Sequence, residues 1–115
     1  MVSGKHRFHG LSSLRFVHSR GRVVRGPYFT VKYALNNRRS TYRAAVVVSK
    51  KVSKSAVVRN RIRRRLYELI RQQEGIIDEP FDIVILVHSN EVAELPAHNL
   101  NKQVLKQLKI AKIIK

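Results

Sequence analysis

The stretch that decides the fold runs from residue 44 to residue 70 and reads AAVVVSKKVSKSAVVRNRIRRRLYELI. Its first five residues are apolar and rich in valine. This composition predicts a strand over residues 42–49, covered on both faces at the centre of a sheet. A polar connection follows, in which Ser53 or Ser55 can cap a helix predicted over residues 56–73. The stretch therefore predicts a strand, a short turn and a helix in direct succession.

The predicted helix is amphipathic, with apolar residues at helical spacing along one stripe: Val58, Ile62, Leu66, Leu69 and Ile70. Its arginines border that stripe. Arg59 and Arg63 fall on one rim, and Arg61 and Arg65 fall on the other. Arg64 and Asn60 face away from the stripe. We expect the stripe to dock the helix on a sheet and the guanidinium groups to remain available to a partner.

The rest of the chain supplies four further elements and no internal repeat. Apolar periodicity predicts a short helix over residues 11–19 and a terminal helix over residues 99–113. Strands are predicted over residues 28–35 and 81–88, with a break at Gly21, Gly26 and Pro27. The order α-β-β-α-β-α predicts an α+β fold, a small two-layer α/β sandwich. Its 115 residues form a single domain, in which residues 1–10 are expected to be loosely ordered.

The strand over residues 28–35 shows clean alternation of apolar and polar residues. One face carries the apolar set Phe29, Val31, Tyr33 and Leu35, which we expect to face the core. The opposite face carries Tyr28, Thr30, Lys32 and Ala34. This second face is expected to be open, polar and partly aromatic.

Charge is distributed very unevenly along the chain. The first 67 residues contain 18 of the 24 basic residues and none of the seven acidic ones. A run of charged residues most often forms a solvated helix face. Here, however, no acidic residue lies three or four positions from Arg59, Arg61 or Arg63 to compensate their charge within the helix. So dense a field predicts a polyanionic partner, for which nucleic acid fits best.

Several classes of function are disfavoured by composition. The chain has no cysteine, which removes disulfides, thiolate nucleophiles and cysteine-based zinc sites. No apolar run approaches the ~18 residues of a membrane span, and the N-terminus has no apolar signal-peptide core. We expect a soluble cytoplasmic protein without a membrane partner or an obligate protein partner. No paired carboxylates suit a protein nuclease, which argues against a self-sufficient enzyme.

A family resemblance lies in the central segment. Residues 48–52, VSKKV, followed by residues 56–64, AVVRNRIRR, resemble the signature of the bacterial ribonuclease P protein subunit, and Arg59-Asn60-Arg61 matches its RNR motif. The resemblance implies a left-handed β-α-β crossover around the RNR helix, in a fold similar to a domain of a ribosomal protein. It also implies a non-catalytic subunit. A large RNA would cleave precursor tRNA at the mature 5′ end with Mg²⁺ bound to the RNA, and no metal site is expected on the protein.

The resemblance also assigns residues. Contacts with the catalytic RNA are expected at Lys50, Lys51, Arg59, Asn60, Arg61, Arg63 and Arg64, to which we add the neighbouring Arg65. The 5′ leader of precursor tRNA is expected between the first helix and the open sheet face, on Leu14, His18, Tyr28, Thr30 and Lys32. The alternatives are a structural RNA-binding protein of ribosomal type, without a role in cleavage, and a nucleoid protein that binds duplex DNA.

Overall fold

A computed structural model describes residues 17–115 of the chain. Residues 17–20 are helical (α1), and the predicted helical residues 11–16, with Leu14, lie outside the described part. The other elements follow in chain order: β1 (Arg22–Arg25), β2 (Phe29–Leu35), β3 (Arg43–Val48), α2 (Ala56–Gln72), β4 (Phe81–Val87), a 3₁₀ helix (Asn90–Ala93) and α3 (Ala97–Ile110). The α+β class is confirmed.

The sheet has four strands in the order β1-β2-β4-β3. Strand β1 was not predicted, because four residues between two glycines read as a break; it pairs antiparallel with β2. The prediction that β3 is central is wrong. It lies at the edge, and β4 lies between β2 and β3 with Ile83, Val84 and Ile85 fully buried. Strand β3 owes its apolar run to burial beneath α2, and its Val47 is exposed.

The crossover from β3 through α2 to β4 joins two parallel neighbouring strands. Helix α2 begins after Ser55, whose hydroxyl oxygen accepts a hydrogen bond from the Val58 amide at 3.3 Å. Its predicted stripe packs as expected, with Ile62, Leu66 and Ile70 fully buried. These contacts fix α2 on the sheet, while the left hand of the crossover stays an implication of the resemblance.

The main core lies between the sheet and the two long helices. Helix α3 contributes Leu100, Val104 and Leu108, as its periodicity predicts. It also buries Gln107, whose amide nitrogen donates to the carbonyl oxygens of Val24 and Phe29, both at 3.1 Å. This buried amide therefore ties α3 to the turn between β1 and β2.

The opposite face of the sheet has a smaller apolar cover. Val17 of α1 is 1 % exposed, and Ala34, Ala45 and Val84 are buried without joining the main core. Val84 pairs directly with both Lys32 and Ala45, so these three side chains share that face. The end of α1 therefore lies against the same face of the sheet as Lys32.

Candidate nucleic-acid interface

The arginines of α2 divide between two rims, as the helical spacing predicts. On the first rim, Arg59 donates to the carbonyl oxygen of Ser53 at 2.9 Å. Arg63 donates to the carbonyl oxygen of Val48 at 3.3 Å and to the side-chain oxygen of Asn60 at 2.8 Å. These bonds join α2 to the connection that follows β3. Each guanidinium has five N–H groups, so both arginines keep donors for a phosphate.

On the second rim, the two arginines have different surroundings. Arg61 is 53 % exposed, and its guanidinium lies 4.0 Å from the carboxylate of Glu94, which is itself 79 % exposed. Such an exposed pair neutralises little charge. Arg65 is half-buried and donates to the carbonyl oxygens of Val92 and Leu95. The structure therefore gives Arg65 a role in holding the 3₁₀ segment, which its predicted contact with RNA did not anticipate.

Between the rims, the outer surface of α2 is open. Arg64 and Asn60 are exposed, and the Asn60 amide nitrogen remains a donor because its oxygen accepts from Arg63. Lys50 and Lys51 are exposed in a turn closed by a bond from the Val52 amide to the Ser49 carbonyl oxygen at 3.1 Å. We call the following set the α2 surface, in which Arg59 and Arg63 are half-buried and the others are exposed: Lys50, Lys51, Arg59, Asn60, Arg61, Arg63 and Arg64.

The acid nearest in sequence to these arginines is occupied elsewhere. Glu68 accepts two hydrogen bonds from Arg71, one of them at 3.0 Å. Those bonds lower the pKa of Glu68 from 4.5 to about 2. Since Glu68 is committed to Arg71, it contributes little to neutralising the α2 surface.

A second basic surface lies where α1 meets the sheet. The Lys32 ammonium nitrogen is 3.1 Å from Nδ1 of His18, so the structure brings together two residues predicted at the leader cleft. Thr30 is half-buried two positions along the same strand. Its direct partner on β1 is the exposed Arg25, which shares its face of the sheet. We call His18, Arg25, Thr30 and Lys32 the sheet-face surface.

Arg25 was not predicted as a site residue, because the strand β1 that carries it was not predicted. The only sequence signal is the pair of β-branched residues Val23 and Val24 between two glycines, which is too short to separate a strand from a turn. Its place beside Thr30 follows from the pairing of β1 with β2, a relation that the sequence alone does not contain.

Tyr28 lies elsewhere, and the prediction that it shares a face with Lys32 is wrong. It precedes β2 in a bend and packs against the main core, beside a pocket that Val58 and Leu95 also line. Alternation of faces requires extended backbone, which begins at Phe29. The contact predicted between Tyr28 and the leader therefore stays a prediction without support from this geometry.

One arginine of the basic half is neutralised inside the fold. Arg43 forms a two-pronged ion pair with Asp82, with nitrogen–oxygen distances of 2.9 and 2.8 Å. Asp82 is fully buried and also accepts from the Asn36 side chain at 2.9 Å. Arg43 is therefore neutralised by an acid of the second half of the chain and needs no polyanionic partner. The pair forms because β3 and β4 align these residues in register.

The described residues contain neither a metal-binding cluster nor a membrane-spanning helix. Within residues 17–115, no group of three or more histidine, cysteine, aspartate or glutamate side chains is arranged to hold a metal ion. No helix of that part of the chain is long and apolar enough to cross a membrane. The α2 surface and the sheet-face surface are therefore the sites to compare with the predicted contacts.

Comparison with known proteins agrees with this geometry. The family model for ribonuclease P matches residues 2–112. The chain belongs to the ribonuclease P protein family. The ribonuclease P protein component of Azoarcus sp. (strain BH72) is 34% identical over 102 residues, covering 89% of this chain and 82% of the relative. That of Caldanaerobacter subterraneus subsp. tengcongensis is 37% identical over 93 residues, covering 81% and 78%.

Solved ribonuclease P proteins share the fold. The protein from Staphylococcus aureus superposes with a TM-score of 0.85 at 24% identity, covering 96% of this chain and 98% of that one. The protein from Thermotoga maritima gives 0.75 at 26% identity, covering 84% and 89%. The chain is thus the protein component of ribonuclease P, a subunit that acts in tRNA processing with an RNA partner. The alternative of a ribosomal-type protein without a role in cleavage is not favoured.

Proposed function

We propose that the α2 surface binds the catalytic RNA of ribonuclease P. The observation that carries this proposal is an array of exposed and half-buried guanidinium and ammonium groups with little negative charge beside it. Among the described residues, the nearest carboxylate is that of the exposed Glu94, at 4.0 Å from Arg61. Arginine suits a structured RNA because its planar fork binds phosphate through two hydrogen bonds. Asn60 adds donors that can reach a 2′-hydroxyl, a group absent from DNA.

The bonds within this surface also support the proposal. Arg59 donates a hydrogen bond to the carbonyl oxygen of Ser53, and Arg63 donates one to that of Val48. Lys50 and Lys51 lie between these two carbonyls in the sequence. The helix and the turn are therefore held as one body. A preorganised surface loses less conformational entropy when it binds, so a rigid RNA fold is a fitting partner.

We further propose that the sheet-face surface holds the single-stranded 5′ leader of precursor tRNA. Lys32, Arg25 and His18 can meet successive phosphates, and Thr30 adds a hydroxyl between them. The apolar residues beneath them, such as Val84, are buried, so the polar and basic side chains form the accessible part of this face. Cationic groups spaced along a strand suit the phosphates of a single-stranded RNA.

Cleavage itself is assigned to the RNA subunit in this proposal, with Mg²⁺ bound by that RNA. Both protein surfaces are cationic, and cationic side chains bind phosphate oxygens rather than divalent metal ions, which take oxygen ligands. The protein would then raise affinity for substrate and favour the active RNA at low Mg²⁺, in the cytoplasm where precursor tRNA is processed.

Two matched substitutions test the division of labour between the surfaces. Arg64→Ala should weaken binding to ribonuclease P RNA and leave the preference for substrates with a leader unchanged. Lys32→Ala should do the reverse, lowering the affinity of the reconstituted enzyme for precursor tRNA and sparing mature tRNA. Equal losses for both tRNA forms with Lys32→Ala would contradict the leader assignment.

A further inference from the structure

A third basic feature lies at the end of the sheet and shares no residue with the α2 surface or the sheet-face surface. It is a pocket of about 640 Å³ between the end of α1, the start of β1 and the end of α3. That volume is within the range of about 300–1,000 Å³ that small-molecule sites occupy. Of the described residues that line it, three are cationic, namely Arg20, Arg22 and Lys112, and none carries a carboxylate.

The two arginines are held at the pocket by the glycine between them. The Gly21 amide donates to the Val17 carbonyl oxygen at 2.7 Å, which ends α1. A β-carbon at Gly21 would lie 2.2 Å from that oxygen and 3.0 Å from the carbonyl oxygen of Tyr33. Only glycine permits so close an approach of α1 to β2. Arg20 and Arg22 therefore emerge side by side at the same opening.

Lys112 stands where helices usually place glycine. Its φ is 61°, in the left-handed region. The amide of Ile113 donates to the carbonyl of Leu108, and the amide of Lys112 donates to that of Lys109, both at 3.0 Å. This is the hydrogen-bond pattern of a Schellman cap, in which the left-handed residue favours glycine because other side chains are strained there. Lysine thus occupies a position where glycine would be less strained, and Lys112 lines the pocket.

The walls of the pocket are apolar and aromatic. Tyr33 and Phe81 meet edge to face, with ring centroids 6.2 Å apart. Ile110 is 59 % exposed and Leu35 is 43 % exposed, so both present apolar surface to a ligand. Flat aromatic and aliphatic walls suit a planar base, whereas the cations at the rim suit a phosphate.

We propose that this pocket binds one nucleotide, with its phosphate held by Arg20, Arg22 and Lys112 and its base against Tyr33, Phe81 and Ile110. The same chemistry is present in a free nucleoside monophosphate and in a nucleotide of a single RNA strand. This site is additional to the surfaces assigned to the catalytic RNA and the leader.

The test is an NMR titration of the full chain with three probes: adenosine 5′-monophosphate, an oligoadenylate of five nucleotides and inorganic phosphate. Either nucleotide probe should shift the signals of Leu35, Ile110 and Lys112. Phosphate alone should bind less tightly, because it cannot use the apolar walls. Equal affinity for the two nucleotide probes identifies a free nucleotide as the ligand, and clearly tighter binding of the oligomer identifies an RNA strand.

Lys112→Gly is the decisive variant. Glycine adopts the left-handed conformation without strain, so the variant should unfold at the same temperature or a higher one. Its affinity for the nucleotide should nevertheless fall about tenfold, the loss expected for one charge-assisted contact. Lys102→Ala is the matched control. It removes an equal charge from an exposed position of α3, about 15 Å along the helix axis from Lys112, and should leave binding unchanged.

Three results would overturn the proposal: no shift at the pocket with either nucleotide probe, phosphate binding as tightly as the nucleotides, or equal loss from Lys112→Gly and Lys102→Ala. The titration uses the free protein and involves no cleavage. Its outcome is therefore separate from that of the proposed function, which depends on the assembled ribonucleoprotein.

Discussion

Arg65 offers the sharpest test of how the arginine-rich helix divides its work. Its sequence position beside the RNR motif predicts a contact with RNA, whereas the structure commits its guanidinium to the carbonyl oxygens of Val92 and Leu95. We expect Arg65→Ala to destabilise the fold and to change the intrinsic affinity for RNA little. Arg64→Ala, at the adjacent exposed position, should do the opposite.

The magnitude follows from the two bonds. A hydrogen bond to a charged group contributes about 1.5–3 kcal/mol. The 3₁₀ segment lies near the surface, where Glu91 and Glu94 are exposed, so water can replace part of what is lost. The expected net cost is therefore about 2 kcal/mol, a substantial share of a typical stability of about 5–15 kcal/mol. Arg64→Ala should stay within about 0.5 kcal/mol of the wild type.

Urea unfolding followed by circular dichroism measures the difference. With a slope of about 1–3 kcal/mol per molar urea, Arg65→Ala should lower the midpoint by about 1 M. Arg65→Lys keeps the charge but removes the planar guanidinium that donates to two carbonyl oxygens at once. Its urea midpoint should therefore lie between those of Arg65→Ala and the wild type. The reasoning is refuted if Arg65→Ala unfolds at the wild-type midpoint and weakens RNA binding as much as Arg64→Ala does.

Three further predictions follow from named contacts. Arg61→Ala should weaken binding to ribonuclease P RNA by about 1–3 kcal/mol in a filter-binding titration, and unchanged affinity in a folded variant would contradict its assignment. Gly26→Ala should destabilise the fold by about 1–3 kcal/mol in thermal unfolding, because a β-carbon there would lie 2.3 Å from the buried side-chain oxygen of Gln107. Arg71→Ala should return the pKa of Glu68 from about 2 towards 4.5 in a carboxyl NMR titration, and an unchanged pKa would show that Arg71 is not the cause of the lowering. Because the pKa is lowered in the folded state, the pair stabilises the wild type fully above about pH 4.5, and this stabilisation is lost as the pH falls towards 2.

Local pattern was sufficient for β2, β3, β4, α2 and α3, and for the orientation of α2. The cap at Ser55 and the stripe through Ile62 and Leu66 are local features, since both depend on spacing along one helix. For the same reason the division of the arginines between two rims was correctly predicted. The order of the elements then predicted the fold class, which the four-stranded sheet and its solved relatives confirm.

The errors concern relations between distant segments. Strand β1 is exposed and only four residues long, so its existence depends on pairing with β2 rather than on its own pattern. The ion pair of Arg43 with Asp82 likewise depends on the register of two parallel strands. The inward bonds of Arg65 depend on where the 3₁₀ segment packs. None of these relations leaves a periodic signal in the sequence.

Reconstitution tests the central claim most directly. The purified chain is added to a bacterial ribonuclease P RNA at low Mg²⁺, and cleavage of precursor tRNA is measured with the RNA alone, the chain alone and both together. The account predicts cleavage at the mature 5′ end only when both are present, with the gain reduced by Arg64→Ala. Tight RNA binding without any gain in cleavage with its cognate RNA would contradict it.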